Sequence, residues 1–347
     1  MTHTATTTPP PIIVPPRRLL GALVPAGILL DARSGCVASL PLQVLQGDPE
    51  QALEAFLVPT GERPSLVTSG AGCTASADHW TFGQLTIDES RGLAAGAEAA
   101  YTELLARITQ AGMPHLWRVW HYLPAINATD AASGIERYRL FNQGRAAAFA
   151  AADLPAGPSA PAACALGSPV GTTARLAFLA ADRPAIGIEN PRQVSAWNYP
   201  RQYGHKSPLF ARAAIARGRR HDWLFISGTA SITGHATRHR GDVCAQTDET
   251  LTNLQAVLDE ANAHRPDGCL AFDWEPTTHL RVYLRHPQDF PAVRARLDRQ
   301  LAGVSRRVFL QADICREDLL VEIEATLRRP RDAGSIGDVD ERLWPEL

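Results

Sequence analysis

Between Arg307 and Leu327 the chain reads RVFLQADICREDLLVEIEATL, two runs of alternating apolar residues on either side of Cys315, Arg316, Glu317 and Asp318. This alternation predicts two strands joined by a short polar turn, and it constrains the fold more tightly than any other stretch. In the second run Leu319, Val321, Ile323, Ala325 and Leu327 share one face, which leaves Glu322 and Glu324 together on the other. A mid-strand carboxylate usually marks the solvated face of a half-buried sheet. Here Arg307, Phe309, Gln311, Asp313 and Cys315 share one phase of the first run, so the pattern gathers an arginine, a thiol and a carboxylate around one hairpin. Their distances depend on a register that alternation alone leaves open.

A chain of 347 residues has room for two ordinary domains. With 34 Lys+Arg against 36 Asp+Glu, it lacks the basic field that nucleic acid or a membrane surface requires, which leaves a small molecule as the expected partner. The six cysteines, Cys36, Cys73, Cys164, Cys244, Cys269 and Cys315, are scattered without metal-ligand spacing, and neither they nor the histidines predict a metal site. Scattered thiols suit a reduced cytoplasmic setting. The apolar stretch RRLLGALVPAGILL is interrupted by Pro25 and followed by Asp31 and Arg33, so it predicts a buried strand pair and not an export signal. No run is long enough to span a membrane.

The Thr/Pro-rich residues 1–16 lack an apolar period and are expected to form a mobile arm. Residues 17–205 are expected to form an N-terminal α+β domain. Helices are predicted over Ala94–Gln110 and Ile135–Ala151, strands over Leu116–Leu123 and Ala174–Ala180, and a Pro/Ala/Ser-rich loop lies before the second strand. Residues 206–347 are expected to form the C-terminal domain. Strands over Trp223–Ile232 and His279–Leu284, helices over Asp248–Ala263 and Phe290–Leu301, and the closing hairpin make it up. Thr247 or Asp248 would cap the first of these helices. MPHLWRVWHYLP and TTHLRVYLRHP are faintly alike, which raises two diverged copies of one unit, each a sheet backed by two helices, without deciding it.

Two further constellations can carry chemistry. Tyr138, Asn142 and Arg145 fall at helical spacing on one stripe, either a wet helix face or a clamp for a planar carboxylate. Glu189 to Pro208 is an irregular segment rich in Trp197, Tyr199, Arg201 and Tyr203, of the kind that lines a site or a subunit interface.

FISGTASI, GDVCAQTDETLTNLQAVLDEA, HLRVYLRHPQDF and VEIEATL make the second half resemble the RidA/YjgF family of small enamine-handling proteins, with a chorismate-mutase-like fold. Over its length, from about Trp80 to Thr326, the chain more specifically resembles the chorismatases. YRLFNQGR (Tyr138 to Arg145), WNYPRQYG (Trp197 to Gly204), SGTASI (Ser227 to Ile232) and CREDLLVEIEA (Cys315 to Ala325) carry that likeness.

The resemblance implies a cofactor-free enzyme that cleaves the enolpyruvyl ether of chorismate. It implies Glu322 as the catalytic acid, Tyr138, Arg145, Tyr199, Tyr203 and Arg307 as substrate-binding residues, and Gly228 and Cys315 as the small pocket residues of the type that forms 3-hydroxybenzoate, in some relatives with 4-hydroxybenzoate. The alternatives are the type that hydrolyses chorismate to a dihydroxycyclohexadienoate, and a RidA-like enamine or imine hydrolase using Arg307 and Glu322. A non-catalytic ligand-binding protein is a third. Whether the chain is a monomer or a homo-oligomer stays undecided.

Overall fold

The computed structural model describes residues 12–13, 18–26, 29–30, 35–46, 54–154 and 157–331. Near the N-terminus β1 (Ile12–Ile13) pairs in parallel with β3 (Leu29–Leu30), while β2 (Leu19–Pro25), β4 (Cys36–Leu40) and β6 (Glu54–Leu57) form a three-stranded sheet. The expected arm thus lies outside the described residues except at Ile12 and Ile13. RRLLGALVPAGILL does not pair with itself: its two strands belong to different small sheets.

Two large sheets carry the fold. The first runs β7 (Ser65–Ser69), β8 (Gly72–Ser76), β9 (Trp80–Thr86), β12 (Arg175–Ala181), β10 (His115–Pro124), β11 (Ala162–Ser168). The second runs β13 (Ile186–Ile188), β14 (Ala213–Arg217), β15 (His221–Ala230), β20 (Val321–Pro330), β18 (His279–Leu284), β19 (Arg306–Gln311), with β5 (Gln43–Gln46) added at its edge. Helix α1 (Leu93–Gln110) follows β9 and α2 (Arg137–Ala151) follows β10; likewise α3 (Val243–Ala263) follows β15, after the small antiparallel pair β16 (Ile232–Thr233) and β17 (Ala236–Thr237), and α4 (Phe290–Gln300) follows β18.

The two units therefore match strand for strand, down to the parallel pairs β10/β11 and β18/β19 and the antiparallel pairs β10/β12 and β18/β20. The faint sequence likeness falls on the equivalent strands β10 and β18, where Arg118 and Arg281 occupy corresponding places. The expected domain division at residue 205 does not follow the sheets, because β13 already belongs to the second.

Each helix pair covers the outer face of its own sheet. Tyr101, Leu104 and Ile108 of α1 pack with Phe141 and Phe149 of α2 under the first sheet, and Leu254, Val257, Leu258, Val293 and Leu297 pack under the second. Gly144 lets α2 approach α1, since a Cβ there would run into Ala94 O and Ala97 Cβ. The inner faces meet in a third core containing Phe82, Trp120, Trp223, Phe225 and Tyr283, with Phe56 of β6 inserted between the sheets. One face of each strand thus looks to helices and the other to the opposite sheet, so neither face of β20 is solvated.

Several expectations need correction. Strands β19 and β20 do not form a hairpin: β18 lies between them, and residues 312–320 cross over it. Two antiparallel strands with a third inserted between them carry the same alternation as hairpin partners, so the pattern alone does not separate the two arrangements. Helix α3 begins a turn earlier than expected and is capped by Asp242, whose side chain accepts from Ala245 N at 3.0 Å. The Pro/Ala/Ser-rich loop contains β11. Cys36 and Cys73 form a disulfide joining β4 to β8, so six free thiols is not the arrangement found.

Candidate active site

The site grows out of the pleat of β20. Val321, Ile323, Ala325 and Leu327 turn to the α3/α4 side, and this alternation delivers Glu322 and Glu324 to the space between the sheets. Glu324 lies between the equivalent arginines of the two units. Arg118 donates to its Oε2, Arg281 donates to its Oε1 at 2.8 Å, and the Tyr283 hydroxyl donates to Oε1 at 2.6 Å. Arg281 also pairs with Glu54 of β6, which accepts from Thr326 Oγ1 at 2.6 Å. Burial opposes charge on Glu324, but Arg118 and Arg281 outweigh it and hold its carboxyl below the usual range.

Glu322 stands one pleat away without those partners. It is 3% exposed and lines a cleft of about 510 Å³. Its carboxyl is pushed up to about 8, first by burial and then by the charge of Glu324, against a weaker opposing pull from Arg118 and Arg212. A buried carboxyl of this kind carries its proton at neutral pH and can give it away.

Gly228 lies against that carboxyl. The ladder between β15 and β20 slips between Ile226 and Thr229, and the bulge brings Gly228 onto Glu322. A Cβ at position 228 would overlap Glu322 Oε1 and come within 2.8 Å of its Cδ and 3.1 Å of Cys164 Cβ. The neighbouring Ser227 hydroxyl donates to Ala211 O at 2.6 Å and accepts from Ala163 N at 2.8 Å, fixing the bulge to the edge of the first sheet.

The remaining walls come from three places. Tyr138 enters from α2, where burial raises its phenol and the nearby Cys315 adds to the effect. Tyr199 and Tyr203 enter from two short 3-10 turns, Ala196–Asn198 and Arg201–Tyr203, their rings 5.5 Å apart. Cys315 and Arg316 enter from the 312–320 crossover, and burial followed by the charge of Glu322 pushes the Cys315 thiol up to about 12. That thiol is not a ready nucleophile.

Two cavity arginines make no ion pair among the described residues. Arg212, 6% exposed, donates to Val194 O and the Tyr199 hydroxyl, each at 2.8 Å, and its Nε is buried without a partner. Arg316 donates to His235 O at 2.8 Å, lies 4.1 Å from the Tyr203 ring centre, and has a buried, unpartnered Nη2. Two cations aimed at one cleft beside a protonated carboxyl suit a dianion.

Of the residues expected from the sequence, Glu322, Tyr138, Tyr199, Tyr203, Gly228 and Cys315 come together around this cleft. Arg307 does not. It shares the helix-facing side of β19 with Phe309, and its Nη1 donates to Asp298 of α4 at 2.6 Å, so it lies on the face of the sheet opposite to Glu322. Arg145 is also absent from the cavity wall. It is buried on α2 over the Phe141 ring and donates to Asn142 Oδ1 at 2.8 Å. Arg212 and Arg316 carry no signal of their own in the sequence: one opens an alanine-rich strand, and the other sits among turn-like charges.

The family model described as "Chorismatase FkbO/Hyg5-like, N-terminal" matches residues 60–180, and the model described as "Endoribonuclease L-PSP" matches residues 210–328. A chorismatase from Streptomyces rapamycinicus is 38% identical over 253 residues, covering 72% of this chain and 74% of that protein. A 3-hydroxybenzoate synthase from Streptomyces hygroscopicus is 36% identical over 233 residues, covering 66% and 68%. The crystal structure of a chorismatase superposes with a TM-score of 0.76 at 31% identity, covering 90% of this chain and 93% of that one.

Proposed function

The chain belongs to the chorismatase family, and from that premise we propose that it cleaves the enolpyruvyl ether of chorismate to 3-hydroxybenzoate and pyruvate, with Glu322 as the acid. The observation that carries the assignment of the acid is Glu322 itself: a buried carboxyl, protonated at neutral pH, bare on its Gly228 side and open to a cleft with two arginines that make no ion pair among the described residues.

Chorismate offers what such a cleft can use. Its two carboxylates fit Arg212 and Arg316, with the hydroxyls of Tyr138, Tyr199 and Tyr203 as further donors. Glu322 gives its proton to the enol methylene carbon, which becomes the methyl of pyruvate and leaves positive charge at the ether-bearing carbon. The neighbouring ring hydroxyl then attacks the ring carbon that carries the ether, the ring C–O bond breaks, and pyruvate departs with that oxygen. The hydroxyl proton returns to Glu322, leaving a three-membered oxide fused to the intact six-membered ring. The bond from its oxygen to the former hydroxyl carbon breaks, the carbon that keeps the oxygen loses its hydrogen as a proton, the oxygen gains one, and the six-membered ring becomes aromatic as the 3-phenol. Atoms balance without water or an oxidant.

The enamine-hydrolase alternative needs Arg307 beside Glu322, and the position of Arg307 against Asp298 deprives it of that pair. The small residues Gly228 and Cys315 support the aromatising type over hydrolysis, because they leave room for the ring hydroxyl to reach its carbon. Incubation of the purified protein with chorismate, with pyruvate assayed enzymatically and the ring products separated by chromatography, tests the proposal. Pyruvate in equal amount to hydroxybenzoate is expected. Dihydroxycyclohexadienoate as the main ring product contradicts the aromatising assignment, and absence of pyruvate contradicts the whole.

A further inference from the structure

The crossover that carries Cys315 and Arg316 has few strand partners of its own. Residues 312–320 pass from β19 to β20 outside both ladders, apart from a bridge between Asp313 and Gly167, and their carbonyls must find donors elsewhere. One guanidinium supplies three of them. Arg285, the residue after β18, donates from Nε to Leu319 O at 2.9 Å, and from Nη2 to Arg316 O at 2.9 Å and Ile314 O at 3.3 Å. Its Nη1 pairs with Asp313 Oδ1 at 2.6 Å, and its Nη2 also reaches Asn127 Oδ1 at 3.1 Å. Asn127 in turn donates to Ile314 O at 3.0 Å.

The two carbonyls flanking Cys315, those of Ile314 and Arg316, are therefore held by one planar group. Arg285 does not line the substrate cleft. It opens onto a separate cleft of about 600 Å³ that shares Asn127 and Glu317 with the first. The far end of the crossover is fixed independently, by Gln246 donating to Asp318 O at 2.9 Å and accepting from Leu320 N at 2.8 Å.

We propose that Arg285, seconded by Asn127, is a positioning residue that sets the Cys315 wall of the substrate cleft and so governs whether the ring hydroxyl or water completes the reaction. The inference rests on the reading of Cys315 as a product-determining residue. Only a rigid fork can hold several carbonyls at once, and lysine, with a single ammonium, cannot replace it fully. With the fork removed, the Cys315 wall is free to move from the intermediate and admit water.

The test compares Arg285→Ala, Arg285→Lys, Asn127→Ala and Cys315→Val on chorismate, measuring pyruvate release and the fraction of ring product recovered as hydroxybenzoate. Arg285→Ala is expected to keep releasing pyruvate while its hydroxybenzoate fraction falls severalfold in favour of dihydroxycyclohexadienoate. Arg285→Lys should lie between it and the parent, Asn127→Ala should shift in the same direction, and millimolar guanidinium should restore Arg285→Ala through the neighbouring cleft. A structural role alone would lower turnover without changing the product ratio. If Cys315→Val shifts the ratio but the folded Arg285 and Asn127 variants do not, the inference is wrong and the reading of Cys315 stands. If Cys315→Val also leaves the ratio unchanged, that reading falls and the inference with it. Should Arg285→Ala fail to fold, Arg285→Lys and Asn127→Ala decide by the same criterion.

Discussion

Glu322 and Glu324 lie two residues apart on one face of β20, and only Glu324 is held by cations. Arg118 and Arg281 come from equivalent strands of the two units and meet on its carboxylate. The fixed negative charge so created faces a neighbour that has burial but no cation bonded to it, and this asymmetry separates a structural carboxylate from an acid.

The first expected consequence is a pH profile. The basic limb of kcat/KM should fall near pH 8, where free Glu322 loses its proton. Glu324→Gln removes the anion that helps keep Glu322 protonated and frees Arg118 to approach it, so the limb should move to lower pH. An unmoved limb in a folded Glu324→Gln enzyme would show that Glu324 does not tune the acid.

Stability should carry the same signature. Glu322 ionises near 8 in the folded chain against 4.5 for a free glutamate, so between those values the folded state holds a proton that the unfolded state has lost. The contribution of Glu322 to stability is therefore fully present below about pH 4.5 and declines as pH rises toward 8. Melting temperatures of Glu322→Gln should exceed those of the parent increasingly over that window; parallel curves would contradict the raised ionisation.

Three arginines should respond differently to truncation. Arg212→Ala is expected to raise KM by an amount corresponding to about 2–5 kcal/mol of lost charge pairing. Arg145→Ala should chiefly lower the melting temperature, because Asn142 Oδ1 and the Phe141 ring lose a buried partner. Arg307→Ala, on the far face of the sheet, should leave KM where it was. Steady-state kinetics beside thermal melts separate the three, and a KM rise in Arg307→Ala would overturn its placement.

Gly228 should tolerate no side chain. Because a Cβ at 228 overlaps the Glu322 carboxyl, Gly228→Ala is expected to cut pyruvate release itself, not only to redirect product. Product control is better tested at Cys315, which comes from the 312–320 crossover and not from the bulge that lies on Glu322. Cys315→Val should divert product toward the dihydroxy acid, and a bias of only about 1.4 kcal/mol between the two routes changes their ratio tenfold. Full pyruvate release from Gly228→Ala would contradict the contact.

Local patterning made most helices and strands legible: His279–Leu284 is found as expected, and α2 and α4 differ only at their ends. Alternation also placed Glu322 and Glu324 on one face. It could not show that a second sheet covers that face, nor that β18 enters between β19 and β20, because both depend on pairings distant in sequence. Strand β11 was hidden by its alanine content, which gives neither period 2 nor β-branched residues. Arg118 and Arg281 look like ordinary strand charges until two separate strands bring them to Glu324, and Glu54 does so until β6 brings it to Arg281. Arg307 is expected at the site only from the family resemblance, and the pleat of β19 puts it on the face of the sheet opposite to Glu322, which a sequence that leaves the register open could not show.

The most direct test of the central claim is pyruvate release from chorismate by Glu322→Gln. The amide keeps the shape of the side chain but has no proton to give to carbon, so release should fall by at least the ~10²–10⁴-fold span of general acid catalysis, with the fold and substrate binding retained. Near-parental release from that variant would make Glu322 a structural carboxylate and contradict the account.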